Sequence, residues 1–143
     1  MENNINKERR SNVRIAVSLP IEFLLFNSDI SSKLDFKETV KLRIAMTKNI
    51  SVGGLCVETD DLEDAWLNDL SSGMMKFALK FKLPTTTELI SSTAKAIWIK
   101  KRENVKPGEM KYLLGLEFLD INTKDANKIV DFVVNYYFQQ EQL

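Results

Sequence analysis

Asn49-Ile50-Ser51-Val52-Gly53-Gly54 packs two small polar side chains and two glycines into six residues. Glycine adopts positive φ without penalty and lets other groups approach the backbone closely. Asn and Ser side chains pair with nearby main-chain groups and also offer small donors and acceptors. Bare N–H groups in such a turn form a concavity that suits an anion. Taken alone, the stretch reads as a tight β-turn, and its flanks agree. In residues 40–47, Val40, Leu42, Ile44 and Met46 alternate with Lys41, Arg43, Ala45 and Thr47. Beyond the turn, Leu55, Val57 and Thr59 share one face. A period of two on both sides predicts two strands joined by this turn.

The same period runs through most of the chain. Upstream, Val13, Ile15, Val17, Leu19, Ile21, Phe23 and Leu25 predict one long strand, with Pro20 marking an edge or a bulge because it has no N–H. Residues 27–39 are polar and read as a long connection without chemistry of its own. Downstream, Asp60-Asp61-Leu62-Glu63-Asp64 is acidic, and Leu62, Trp66 and Leu70 recur every four residues. That fits a short helical turn whose carboxylates favour a helix start, rather than a site for a hard cation. Met75, Phe77, Leu79, Phe81 and Leu83 alternate with Lys76, Ala78, Lys80 and Lys82, so a fourth strand carries a row of lysines outside. Residues 90–101 predict a fifth strand, with Ala94, Ala96 and Trp98 on one face and Ile97 and Ile99 on the other. After a turn at residues 104–109, Tyr112, Leu114, Leu116 and Phe118 define a sixth. Gly115 falls on the other face of that strand, where a missing side chain leaves room for a ligand.

The period then changes. Asn122 can cap a helix with Asp125 at its third position, and Ile121 can staple against Ala126. Ala126, Ile129, Val130, Val133 and Tyr137 recur at helical spacing, and Phe132 and Tyr136 widen the stripe. This predicts one amphipathic helix of about four turns. Six strands of alternating polarity and a terminal helix predict a mainly β fold: a six-stranded antiparallel β-barrel with a C-terminal α-helix packed on it.

Composition narrows the function. The 143 residues suit one domain, expected over residues 8–143 behind an Asn-rich, aperiodic segment, residues 1–7, expected to be flexible. Twenty basic and twenty acidic residues cancel, which disfavours nucleic-acid binding driven by excess positive charge. There is no histidine and only one cysteine, Cys56, so the commonest general base, a Cys-rich metal site and an internal disulfide are all missing. No phosphate-binding loop of the Gly-rich Lys-Ser/Thr type is present. These features argue for no enzyme, no metal and no cofactor. No apolar run reaches the length of a membrane span and residues 1–10 lack the apolar core of a signal peptide, so the expected location is cytoplasmic, without membrane insertion.

Two short patterns carry the chemistry. Arg10-x-x-x-Arg14 precedes the first strand, and Asn49-x-Ser51-x-x-Gly54 fills the turn between the second and third. In that order, on that strand framework and with Gly115-Leu116-Glu117-Phe118 before a final helix, the chain resembles the PilZ domain family. The resemblance spans roughly residues 8–140. It implies a six-stranded barrel and, commonly, binding of the second messenger cyclic di-GMP without catalysis. It assigns ligand contacts to Arg10, Arg14, Asn49, Ser51 and Gly54, with Asn49 within the family's Asp-or-Asn choice. An arginine in the place of Arg9 often accompanies two stacked ligand molecules, so the resemblance favours a stacked pair.

Those residue types suit that ligand. The arginine fork fits phosphate oxygens and the O6/N7 edge of guanine, and its flat face stacks on a purine. Asn49 and Ser51 can pair with a guanine edge, and Gly53 and Gly54 allow close backbone approach. Trp98 can offer a stacking face, although an aromatic on a barrel strand is more often core. The reading is therefore a cyclic di-GMP receptor that orders its arginine segment on binding and signals to a partner protein, or through a homodimer. Its main rival is a PilZ-like adaptor that binds protein and no nucleotide, with the terminal helix as a docking face.

Overall fold

The computed structural model describes residues 13–28, 34–103, 106 and 110–141. Six strands form a closed barrel in the order β1-β2-β3-β6-β5-β4, with every neighbouring pair antiparallel. They are β1 (Pro20–Asn27), β2 (Arg43–Ile50), β3 (Gly54–Thr59), β4 (Met75–Phe81), β5 (Ile90–Glu103) and β6 (Met110–Ile121). The helices are α1 (Phe36–Thr39), α2 (Leu67–Ser72), which follows a 3-10 turn at Asp64–Trp66, and the terminal α3 (Thr123–Glu141). Inward side chains Ile21, Phe23, Val57, Phe77, Leu79, Leu114 and Leu116 fill the interior, leaving a void of only about 10 Å³. A ligand must therefore use the outside of the barrel. Ion pairs and caps fix α3 at one end: Asn122 accepts from the Asp125 N–H at 2.7 Å, the Ser91 N–H donates to Asp125, and Lys128 pairs with Glu88. Ile129, Phe132 and Val133 are buried.

The first strand is shorter than its periodicity suggests. It begins at Pro20, and residues 13–19 run on beside β2 without a regular ladder. The cause is Thr47. Its hydroxyl accepts from the Leu19 N–H at 2.8 Å and donates to the Val17 carbonyl at 2.5 Å, taking the place of main-chain partners. Only Ile15 forms a bridge, exchanging two hydrogen bonds with Ile50 at 2.8 and 2.9 Å.

The second strand is inverted relative to a simple hydrophobic reading. Arg43, Ala45 and Thr47 point inward and are buried, whereas Leu42, Ile44 and Met46 are exposed. Arg43 is tolerated inside because it caps the barrel mouth: it pairs with Glu38 and with Asp61 at 2.6 Å, and its guanidinium lies 4.7 Å from the Trp66 ring centroid. Leu62, Trp66 and Leu70 bury their side chains, as their spacing predicts.

The fifth strand also departs from plain alternation. The register slips between Ala96 and Trp98, a bulge with Ile97 as the extra residue. Both Ile97 and Trp98 are consequently exposed, so Trp98 leaves the face it would share with Ala94 and Ala96. On α3, Tyr137 lies outside the buried stripe and stacks edge-on against Phe138.

Candidate functional site

The Asn49–Gly54 segment is a hairpin connection closed by the Ser51 N–H donating to the Gly54 carbonyl at 2.9 Å. The Ser51 hydroxyl also points at that carbonyl, at 3.3 Å, and so helps hold the turn. Neither Gly53 nor Gly54 has positive φ; among the described residues the only glycine that does is Gly73, at 84°. Positive φ is therefore not what these two glycines supply. Gly54 is required for a steric reason, since a Cβ there would lie 1.9 Å from the Leu116 carbonyl oxygen. The glycine lets β3 close against β6, and the Phe118 N–H donates to the Gly53 carbonyl at 3.0 Å beside it.

Arg14 is brought to this turn by the Ile15–Ile50 bridge. In an antiparallel bridge the flanking residues also face each other, so Arg14 lies beside Ser51 and Ala16 beside Asn49. Arg14 is exposed, and no carboxylate among the described residues pairs with it. Arg9 and Arg10 lie outside the described residues. Asn49 is half-buried, and its amide has no hydrogen-bond partner among the described residues.

Strand register extends the turn into a row across the outer face. Asn49 pairs with Cys56, Cys56 with Gly115, and Gly115 with Trp98, so β2, β3, β6 and β5 each contribute one residue. At about 4.8 Å between strands, this row spans roughly 14 Å. Gly115 does not leave an open slot for a ligand. The Trp98 indole fills it: a Cβ on Gly115 would sit 2.1 Å from the indole Nε1. The glycine instead seats an exposed aromatic on the barrel wall. The bulge at Ile97, which no periodicity reveals, puts it there.

The neighbourhood is cationic. Burial raises the Cys56 thiol above its usual value against the downward pull of Arg14 and Lys48, and Glu58 adds to the rise. Glu58 is the next outward residue on β3 and is flanked by Lys48, Arg102 and Lys111. Composition hides this group, because the chain is neutral overall and the cations come from three strands. A separate depression of about 480 Å³ on the outer barrel, lined by Glu22, Leu24, Leu42, Lys80, Thr93 and Asp120, includes none of the predicted site residues. Among the described residues there is no cluster of side chains suited to a metal ion, and no helix is long and apolar enough to cross a membrane.

No curated protein matches the chain at significant similarity. Several solved structures share the fold at low identity. The PilZ domain of YcgR from Escherichia coli, solved with c-di-GMP, is 15% identical, with TM-score 0.58, 94% of this chain covered and 99% of that one. The Bacillus subtilis inhibitor of motility MotI/DgrA is 17% identical, with TM-score 0.57 over 92% of this chain. PlzA of Borreliella burgdorferi, in complex with c-di-GMP, is 14% identical, with TM-score 0.56 over 99% of this chain. The chain spans only about half of the last two, 52% and 57% of their lengths. Residues 8–135 match the family model described as the PilZ domain. With that match over most of its length and the barrel to go with it, the chain belongs to the PilZ domain family.

Proposed function

We propose that this protein is a cyclic di-GMP receptor. PilZ domains are generally non-catalytic receptors, and the family commonly binds c-di-GMP. The observation that carries the reading is the Ile15–Ile50 bridge, which sets an exposed Arg14, with no carboxylate partner among the described residues, beside the Asn49–Ser51 turn. Arg14 supplies a fork for phosphate or for a guanine edge. Asn49 has an amide without a partner among the described residues, and it can read a purine edge. Trp98, at the far end of the same row, offers a flat apolar face. Arg9 and Arg10 enter through the sequence pattern alone, and it is the arginine at position 9 that favours a stacked ligand pair. Binding then favours one arrangement of the arginine segment, and a partner protein or a second copy reads the new surface.

Isothermal titration with cyclic di-GMP tests this. Saturable binding is expected, with one or two ligands per chain. Losing one charge-assisted contact in Arg14→Ala or Arg10→Ala should cost about 1.5–3 kcal/mol, roughly ten- to a hundredfold in affinity. Unchanged affinity in both variants would remove the paired-arginine mechanism.

One observation favours the second reading, an adaptor for protein. The outward row of Ile44 and Met46 on β2, with Leu42 just before it, exposes apolar side chains that an isolated barrel has no reason to present. An absence of binding at millimolar cyclic di-GMP would move the assignment to that reading.

A further inference from the structure

We propose that Glu58 is a built-in counter-ion that competes with the ligand's phosphates for the cations beside the Asn49–Trp98 row, and so sets the affinity of the site. The proposal rests on the receptor reading above. Glu58 lies on the same outer face of β3 as Cys56, two residues along, a step of roughly 7 Å. Its carboxylate faces Arg102 at 3.4 Å, Lys111 at 3.6 Å and Lys48 at 3.9 Å. Lys48 is the bulge residue that precedes Asn49 on β2, whereas Arg102 and Lys111 pair with each other four residues along β5 and β6 from Trp98 and Gly115, roughly 13 Å by strand rise, and meet Glu58 between them and the row.

Two features make this a replaceable arrangement rather than a locked one. All three contacts are longer than the 2.7–2.9 Å or so of a strong charge-assisted hydrogen bond. The carboxylate is 17% exposed, but the cations are 51%, 51% and 39% exposed and open toward solvent. Among the described residues, one anion faces three cations, and exposed pairs of this kind contribute little to stability. An anionic ligand on the row can therefore draw these side chains away from Glu58 at small cost. The electrostatics at Cys56 agree with this grouping, since Arg14, Lys48 and Glu58 all act on the one thiol.

The test is titration of four proteins with cyclic di-GMP at low and high salt. They are the wild type, Glu58→Gln, Glu58→Gln combined with Arg102→Gln and Lys111→Gln, and the control Glu22→Gln. Glu22 loses the same charge on the outer face of β1, away from the row. Glu58→Gln is near-isosteric and should tighten binding about three- to tenfold, with a steeper fall in affinity as salt rises. The combined variant should lose that gain, and Glu22→Gln should bind like the wild type. A wild type that binds while Glu58→Gln binds equally or more weakly would overturn the proposal and leave the receptor reading standing. A gain that survives removal of Arg102 and Lys111 would overturn it too. If neither the wild type nor Glu58→Gln binds, the receptor reading falls and takes this proposal with it.

Discussion

Gly54 sits outside the left-handed region of φ, yet alanine does not fit there. The added Cβ would lie 1.9 Å from a main-chain oxygen of β6, and a backbone cannot step aside as a flexible side chain can. Gly54→Ala should therefore force β3 and β6 apart at the start of their ladder. Overpacking of this kind costs about 1–3 kcal/mol. A lower midpoint in urea with unchanged slope is the expected outcome; an unchanged midpoint would show that the strands are free to adjust. The same substitution at Gly115 meets an indole rather than backbone, so it should cost less stability and instead displace Trp98, visible as a change in its fluorescence. Both glycines stand out in the sequence, but their reasons do not. Periodicity assigns a residue to a face, whereas a close approach depends on the strand opposite, which only the closed barrel supplies.

The elements repeat that lesson. Strand alternation, the lysine row of β4, the helical spacing of Leu62, Trp66 and Leu70, and the Asn122–Asp125 cap are local signals, and all were legible. What local signals miss is which face of β2 turns inward. Leu42, Ile44 and Met46 look like the core face, but Arg43 finds Glu38, Asp61 and Trp66 at the barrel mouth, partners distributed from residue 38 to residue 66. The bulge at Ile97 is invisible for the same reason, and with it the outward turn of Trp98. Of the candidate site, the Asn49–Gly54 turn and Arg14 could be picked out from sequence, while the Glu58 cation group could not. The end of the first predicted strand is the element with most consequence for the site. Thr47 holds residues 17–19 through its hydroxyl, and those residues lead to Ile15 and Arg14. Thr47→Val keeps the shape but leaves the Leu19 N–H and the Val17 carbonyl without this partner. A loss of about 1–3 kcal/mol in stability is expected. Affinity for cyclic di-GMP should also fall, although Thr47 points into the barrel and touches no part of the outer row. Full affinity in a destabilised Thr47→Val would separate the clasp from the site.

At the scale of the whole molecule, one cross-link ties the barrel wall to the crossing between β3 and β4. The Tyr112 hydroxyl on β6 donates to Asp64 at 2.5 Å, and Lys101 on β5 donates to the other carboxylate oxygen at 2.7 Å. Hydrogen bonds from Lys101 and Tyr112 hold Asp64 below its usual value, so its contribution is present above the unfolded carboxylate range and is lost as pH falls through the lowered folded value. Tyr112 moves the opposite way. Burial, followed by the hydrogen bond to Asp64 and the charge it carries, pushes its hydroxyl up to about 12. Its unfolded value is about 10. The folded state thus holds this proton more tightly than the unfolded chain does. The resulting stability is complete below pH 10 and is lost as pH rises toward 12. By linkage, the loss attributable to Tyr112 between pH 8 and pH 11.5 is about 2 kcal/mol. Lys128 also contributes to alkaline behaviour, since its pairing with Glu88 raises it. Comparison with Tyr112→Phe cancels that contribution, because the variant retains every lysine and lacks only the hydroxyl. Urea unfolding of both proteins at the two pH values should show the wild type losing about 2 kcal/mol more than Tyr112→Phe. Equal losses would mean that Tyr112 ionises as readily in the folded barrel as in the unfolded chain, and that its bond to Asp64 does not tie the crossing to the wall.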